Sequence, residues 1–403
     1  MKRSLDLRTG LPVWSVYRAP LVATAKLTTD VSADVLVVGL GISGAMICEA
    51  LTAVGMSVIA IDRRGPIKGS TAATTALVSS EIDQPLIHLA TKIGKTKAEQ
   101  VWQRSRLAVD NLRARISQLE IECRVAERPS LYLAGTTLNA SQLREEVSVR
   151  QAAGLWCQYL NRRELQEDYG VVGGGAIVSR GHLALDPRKL CSGLLRVAAN
   201  LGACYYSPVE ATGFEKIGEK LVTTTKNGPS ITAGSVVLAT GYELVDPAPA
   251  KGHRIISTWA MATRRQPRRL WPDEAFVWQA SDPYLYLRST HDGRVVCGGE
   301  DEDFSDEAER DAMMPRKSDI IARKLGRLLP GIETTPEYVW AGSFGTTATG
   351  LPMIGRVPRK GAIYAVMGFG GNGISFSQIA SELVRTELGG GRYSDADLFQ
   401  LPQ

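Results

Sequence analysis

The chain has 403 residues, of which 44% are hydrophobic and 22% charged, enough for two domains or for one large domain carrying an insertion. The balance of 47 basic and 42 acidic residues, a net charge of +5, is too small to imply nucleic acid. Six cysteines and four histidines lie scattered, without a CxxC pair or metal-ligand spacing, so reduced thiols and no metal site are expected.

The N-terminus lacks the apolar core of a signal peptide, and no apolar run approaches the ~20 residues that cross a bilayer. A cytoplasmic protein without a membrane span is the expectation. Residues 1–30 carry Trp14, Tyr17 and two prolines without a period, and read as an arm lying on the body.

The first strong signal is the apolar run 35–38, which enters the turn Gly39-Leu-Gly41-Ile-Ser-Gly44 and then a helical pattern. Gly39 permits the turn, Gly41 lets the backbone approach a pyrophosphate, and Gly44 lets the helix pack on the strand. The helix N-terminus offers N–H groups and a positive dipole end. A second run, 58–61, ends at Asp62, where an acid can bind a ribose hydroxyl. Strand, turn, helix and acid agree on dinucleotide binding.

The hydroxyl-rich stretch 65–76 can bring backbone N–H groups and side-chain hydroxyls close to a ligand. A helix follows Gly94, with Val101, Leu112 and Ile116 on one face. From about 123 to 185 short apolar pieces, 131–133 and 176–178, alternate with polar stretches. Asp186-Pro187 opens another helix. Strands are expected at 203–209, 221–225, 230–233 and 235–241, the last as the final strand of a dinucleotide-binding sheet. A β-rich stretch covers 255–299, with a hairpin turn at 289–293. A helix is expected over 320–329. The glycine loop 368–373 then feeds a helix capped at Gly389, a second anion-cradling arrangement.

In this order, GLGISG with Asp62, STAATTALV, VVLATGY, WAGSFGTTATGLPMIG and GFGGNGIS, the motifs resemble the D-amino acid oxidase, glycine oxidase and sarcosine oxidase family of flavoproteins. The resemblance implies an α/β fold, α+β overall: a Rossmann-like FAD-binding domain and a discontinuous, antiparallel-sheet substrate domain. FAD binding would fall to 31–122, 186–250 and 341–390, and the substrate domain to 123–185 and 251–340. It also implies non-covalent FAD, and oxidation of a C–N bond of an amine or amino-acid-like substrate by hydride transfer to flavin, with O2 or a redox partner as electron acceptor.

Carried over, the resemblance places Ile42 and Ser43 at the pyrophosphate, Asp62 and Arg63 at the adenosine ribose, and Val209 at adenine. Ser70, Thr71, Thr75, Ala76 and Leu77 would line the pyrophosphate and isoalloxazine, with Thr240 and Gly241 at the end of a sheet strand. Gly370, Gly371, Asn372, Gly373 and Ile374 would meet the pyrimidine end of the flavin. On the substrate side, Tyr284 matches the family's pocket tyrosine, and Tyr286 and Arg288 share its strand; Arg288 is the remaining nearby cation for a substrate, or a brace of the fold. The family's carboxylate-binding arginine is replaced by Phe344, and a second arginine position by Gly371. Glu300 and Asp301 are secondary pocket candidates or structural groups, and Cys297 reads as a buried thiol. Two other functions stay open: the flavin subunit of a multi-protein amine or opine dehydrogenase, and a nucleotide-binding module without redox activity.

Overall fold

The computed structural model describes residues 6–226, 228–249 and 251–402; the leading stretch read above for a signal peptide lies largely outside them. Two sheets dominate. The eight-stranded sheet runs in the order Met353–Arg356, Ile363–Met367, Ile231–Leu238, Val31–Val38, Val58–Ile61, Cys204–Tyr206, with the hairpin Ala211–Ile217 and Lys220–Thr225 attached to Ile231–Leu238. Val31–Val38 pairs in parallel with Ile231–Leu238 and with Val58–Ile61. Parallel neighbours need crossover connections, and helix Ile42–Thr52 supplies the first.

The run 35–38 is uniformly apolar because both faces of this sheet are covered. Val35 and Val37 enter one core with Met46 and Ile47 of the helix, while Leu36 and Val38 enter another with Ile59 and Ile61. The stretch expected as the sheet's last strand is internal: Ile231–Leu238 absorbs the short strand expected at 230–233, and Ile363–Met367 pairs on its far side. That outer strand was not anticipated.

The second sheet has ten strands. Its path is Arg8–Gly10, Pro336–Thr347, His253–Thr263, Val295–Glu302, Leu285–Ser289, Phe276–Gln279, Ala126–Leu133, Gly175–Ala184, Leu77–Val78, and Cys157–Asn161 also pairs with Gly175–Ala184. It is antiparallel except at one joint, where Phe276–Gln279 runs parallel to Ala126–Leu133. That joint is where the chain segments around 126–184 and 253–347 meet edge to edge. Pro336–Thr347 runs unbroken through residue 341, where a domain boundary was expected, and Leu77–Val78 also joins this sheet.

Two helices, Ala140–Ala152 and Arg162–Tyr169, occupy a stretch read as short apolar pieces. Both open on capping boxes, Asn139 with Gln142 and Asn161 with Glu164, a signal present in the sequence. The N-terminal arm is better anchored than its composition suggests: Arg8–Gly10 pairs with Pro336–Thr347, and Val13 and Trp14 are fully buried.

Candidate active site

The glycine turn holds the two sheet strands and the first helix at close quarters. Gly39 has φ +117°, and a Cβ there would lie 2.3 Å from the carbonyl oxygen of Ala239. A Cβ on Gly44 would lie 1.9 Å from the carbonyl oxygen of Gly39, so the helix packs on the turn with no room for a methyl group. Gly41 caps helix Ile42–Thr52 without a side-chain hydrogen bond, and the first turn carries no acidic residue. The helix end is thus left for an outside anion. The hydroxyls of Ser43 and Ser377 lie 2.7 Å apart and tie this helix to Gly373–Leu388.

Asp62 lines the same cavity, but its carboxylate already has partners. Leu40 N–H donates to one oxygen at 2.9 Å; Arg64 and Gly65 N–H donate to the other at 2.7 and 2.8 Å. It therefore ties the second strand's exit to the glycine turn, in addition to any ribose contact. Asp62→Ala is expected to weaken FAD binding roughly ten- to a hundredfold, the worth of a hydrogen bond to a charged group. It should also lower the melting temperature of the FAD-free protein. FAD titration and thermal melts check both halves; an unchanged FAD-free melt would leave Asp62 a ribose ligand only. Arg63 and Arg64 both pair with Glu243, which fixes the loop beyond Asp62.

Three long side chains hold the stretch 73–76 by its carbonyls. Trp340 Nε1 donates to Ala73 O at 2.7 Å, Trp14 Nε1 to Thr74 O at 2.6 Å, and an Arg288 guanidinium nitrogen to Ala76 O at 2.5 Å. Ala76 itself has φ +57°. Thr71 Oγ1 accepts from Ile42 N–H at 3.0 Å, and Ser70 Oγ is buried with no partner. An unpartnered buried hydroxyl, a helix whose N-cap glycine brings no side chain to its end and a turn with no room for Cβ atoms fit a dinucleotide pyrophosphate lying across 39–43 and 70–71.

Arg288 is a correction. Read as a cation for the substrate, it is buried away from the cavity. Its donors go to the carbonyls of Ala76, Leu185 and Ser289, and its guanidinium lies 5.3 Å from the Trp14 ring centre. Its role is to brace the loop. Gly44 and Ala76 also stand behind the cavity wall rather than on it. The other cofactor candidates line one continuous cavity: Gly39, Gly41, Ile42, Ser43, Asp62, Arg63, Ser70, Thr71, Thr75, Leu77, Val209, Thr240, Gly241 and Gly370 to Ile374. Tyr284, Tyr286 and Phe344 line it too.

Around those three rings the structure adds Tyr242 and Asp83, which the sequence did not single out, and brings in Asp301, which it did. Tyr242 meets Phe344 edge-on, with ring centres 6.5 Å apart, and Tyr284 lies 5.5 Å from Tyr286. Asp83 enters from the segment after strand Leu77–Val78 and accepts from Gly371 N–H at 2.9 Å. Burial pushes the Asp83 carboxyl up, against that hydrogen bond. Asp301 stands beside Tyr284 and Thr258; burial pushes it up to about 7, and the negative charge of Asp83 adds to the shift. Burial, then Asp301 and Asp83, push the Tyr284 hydroxyl well up, and Tyr286 follows the same way. Both phenols are therefore hydrogen-bond donors at neutral pH. Glu300, by contrast, pairs with Lys317 and Lys324, and Cys297 is buried in a hydrophobic cluster with its thiol pushed up by burial.

The segment carrying Asp83 is laced to the C-terminal glycine loop. Ser375 Oγ donates to Ser79 O and Asn372 Nδ2 to Glu81 O, both at 2.7 Å. Glu81 itself lines the cavity, and its carboxylate pairs with Arg150 and accepts from Ser130 Oγ at 2.8 Å. Burial drives Glu81 up, but Arg150 and His182 outweigh it and hold the carboxyl below its ordinary range. Among the described residues no cluster could hold a metal ion, and no helix is long and apolar enough to cross a membrane.

Comparison with known proteins gives a consistent picture. The family model described as FAD dependent oxidoreductase (DAO) matches residues 34–386. A Bacillus subtilis (strain 168) protein, YhfW, assigned to the Rieske 2Fe-2S iron-sulfur class, is 24% identical over 89% of this chain and 69% of its own length. Glycine oxidase from Geobacillus kaustophilus superposes with a TM-score of 0.74 at 20% identity, covering 92% of this chain and 99% of that one. L-Proline dehydrogenase from P. horikoshii gives 0.77 at 17% identity, covering 93% and 97%.

Proposed function

The chain belongs to the FAD dependent oxidoreductase family, whose model spans residues 34–386, and from that premise we propose that it oxidises a C–N bond of an amine that has no carboxylate beside the reacting nitrogen. As a member of that family it is an FAD-dependent enzyme, which sets aside a nucleotide-binding module without redox activity. FAD held without a covalent bond is part of the proposal, and it is supported by the thiol of Cys297 lying in a hydrophobic cluster outside the cavity.

Bound FAD would supply the two-electron acceptor. The C–H bond next to nitrogen gives up hydride, the nitrogen lone pair closes the C=N bond, and water hydrolyses the imine. The chain's residues would orient and exclude. Tyr286, held protonated, can donate to the substrate, while Tyr284 bonds to Asp301 behind the cavity wall; Asp301, pushed up to about 7 by burial, would take up the ammonium proton by way of the Tyr284 hydroxyl before hydride leaves. Neutral amine is the form that can donate its lone pair.

The observation that carries this reading is the make-up of the cavity's far end. It is aromatic and acidic, and among the described lining residues the arginines are Arg63 and Arg64, both paired with Glu243 near Asp62. A substrate carboxylate would lose its water there without gaining a guanidinium fork. Anaerobic mixing with an amine panel, followed by flavin absorbance, tests the proposal. Amines are expected to bleach the flavin, and glycine, D-alanine and D-proline to do so poorly. Efficient bleaching by those amino acids overturns the argument from the missing arginines. Reoxidation by oxygen against reoxidation by a dye then separates an oxidase from a subunit that hands electrons to a redox partner.

A further inference from the structure

Resting on the C–N oxidation reading and narrowing its substrate, we propose that Asp83 determines specificity by taking a second cationic group, so that the substrates are diamine-like: amines bearing another positive charge a few bonds from the reacting nitrogen.

Asp83 occupies the place where a side chain at position 371 would stand. A Cβ on Gly371 would lie 2.9 Å from both carboxylate oxygens of Asp83, and one on Gly370 3.2 Å from the nearer. The glycines leave room for an acid arriving from the other end of the chain. The carboxylate is under-used: two oxygens can accept about four hydrogen bonds, and among the described residues the donor to them is Gly371 N–H. Among the described residues no lysine or arginine pairs with Asp83, whereas Arg150 pairs with Glu81 two residues earlier. Its backbone N–H donates to Asn372 Oδ1 at 3.3 Å, so the acid is held in position before any ligand arrives.

The walls suit a cation as well. Tyr242, Phe344, Tyr284 and Tyr286 line the same cavity, and ring faces attract ammonium groups. Burial without a counter-charge raises the proton affinity of Asp83; a bound ammonium group would supply that counter-charge and return the carboxyl to its ionised form. Asp301 adds a field of the same sign.

The test uses the FAD-loaded protein. Anaerobic flavin reduction is measured with 1,4-diaminobutane and with butylamine, which differ by one terminal ammonium group. Equilibrium binding of butyltrimethylammonium, which lacks an N–H, is measured by calorimetry against acetate. The wild-type protein is expected to bind the diamine at least about tenfold more tightly than butylamine, and to bind the quaternary cation but not acetate. In Asp83→Asn, which keeps the acceptor for Gly371, that preference for the diamine should fall by about tenfold or more. Equal affinity of the two amines for wild-type protein overturns the proposal, even if the variant does not fold. So does a variant that weakens both amines alike, which marks Asp83 as a brace for the glycine loop. If no amine bleaches the flavin but the quaternary cation still binds through Asp83, the C–N reading fails and the cation site stands.

Discussion

Arg150→Met is expected to lower the melting temperature by on the order of 5–10 °C at pH 8. Arg150 is 1% exposed and pairs with two buried acids, Glu81 and Glu146. Glu146 in turn accepts from Leu86 and Ile87 N–H at 2.8 and 2.9 Å, at the start of helix Leu86–Ile93. Methionine keeps most of the volume but strands both carboxylates, and breaking a buried pair costs about 3–5 kcal/mol. The loss has a pH signature. Glu81 is held below its ordinary range, so its favourable contribution is present above the unfolded carboxylate value and disappears as pH falls through the folded one. In the variant, burial drives Glu81 up and it can accept a proton. The gap between wild-type and variant melts should therefore narrow from pH 8 towards pH 4–5. A gap that stays constant or widens on acidification would mean that packing against Trp102, whose ring centre lies 4.4 Å from the guanidinium, dominates instead.

Gly44→Ala is expected to yield protein with little or no FAD. The added methyl would meet the Gly39 carbonyl oxygen at 1.9 Å, a backbone atom that cannot turn aside. Relief requires helix Ile42–Thr52 to lift off the turn. Overpacking of this kind costs about 1–3 kcal/mol. It also moves the helix end away from the pyrophosphate position, so FAD affinity should fall at least roughly tenfold. Gly331→Ala, where a Cβ meets nothing within 4 Å, is the control and should keep its flavin. Flavin-to-protein absorbance ratios and FAD titration of both variants decide the point; full loading of Gly44→Ala would show that the helix can move without cost.

Local chemistry was legible from sequence and long-range placement was not. The glycine turn and its helix follow from neighbours within ten residues, and so does the hairpin in which Ser289 faces Val295. Arg288 shares the strand of Tyr284 and Tyr286 but not their surroundings. At ~3.3 Å per residue, Arg288 lies about 13 Å beyond Tyr284, past the cavity and under the stretch held by Trp14. Asp62 was read for its charge towards a ligand, but its hydrogen bonds to Arg64 and Gly65 arise only when the strand's exit folds back. Asp83 gave no local sign at all, because its meaning depends on Gly371, 288 residues away. The helices at Ala140–Ala152 and Arg162–Tyr169 are marked by capping boxes but not by an apolar stripe: the first buries Glu146 and Arg150 beside Leu143 and Val147, the second Leu165.

The two laced ends of the chain bear on how the protein is made. Val31–Val38 is synthesised early, yet one of its two sheet neighbours, Ile231–Leu238, leaves the ribosome some two hundred residues later, and Arg8–Gly10 waits for Pro336–Thr347. The hydroxyl partner of Ser43 is Ser377, and Ser79–Asp83 is held by residues 371–375. Contacts so distant in sequence form late and slowly. The phosphate cradle, although its strand and turn lie at 31–44, is complete only once residues 371–377 have been made. FAD loading is thus expected to wait for the segment 371–377 rather than to begin on the glycine turn alone.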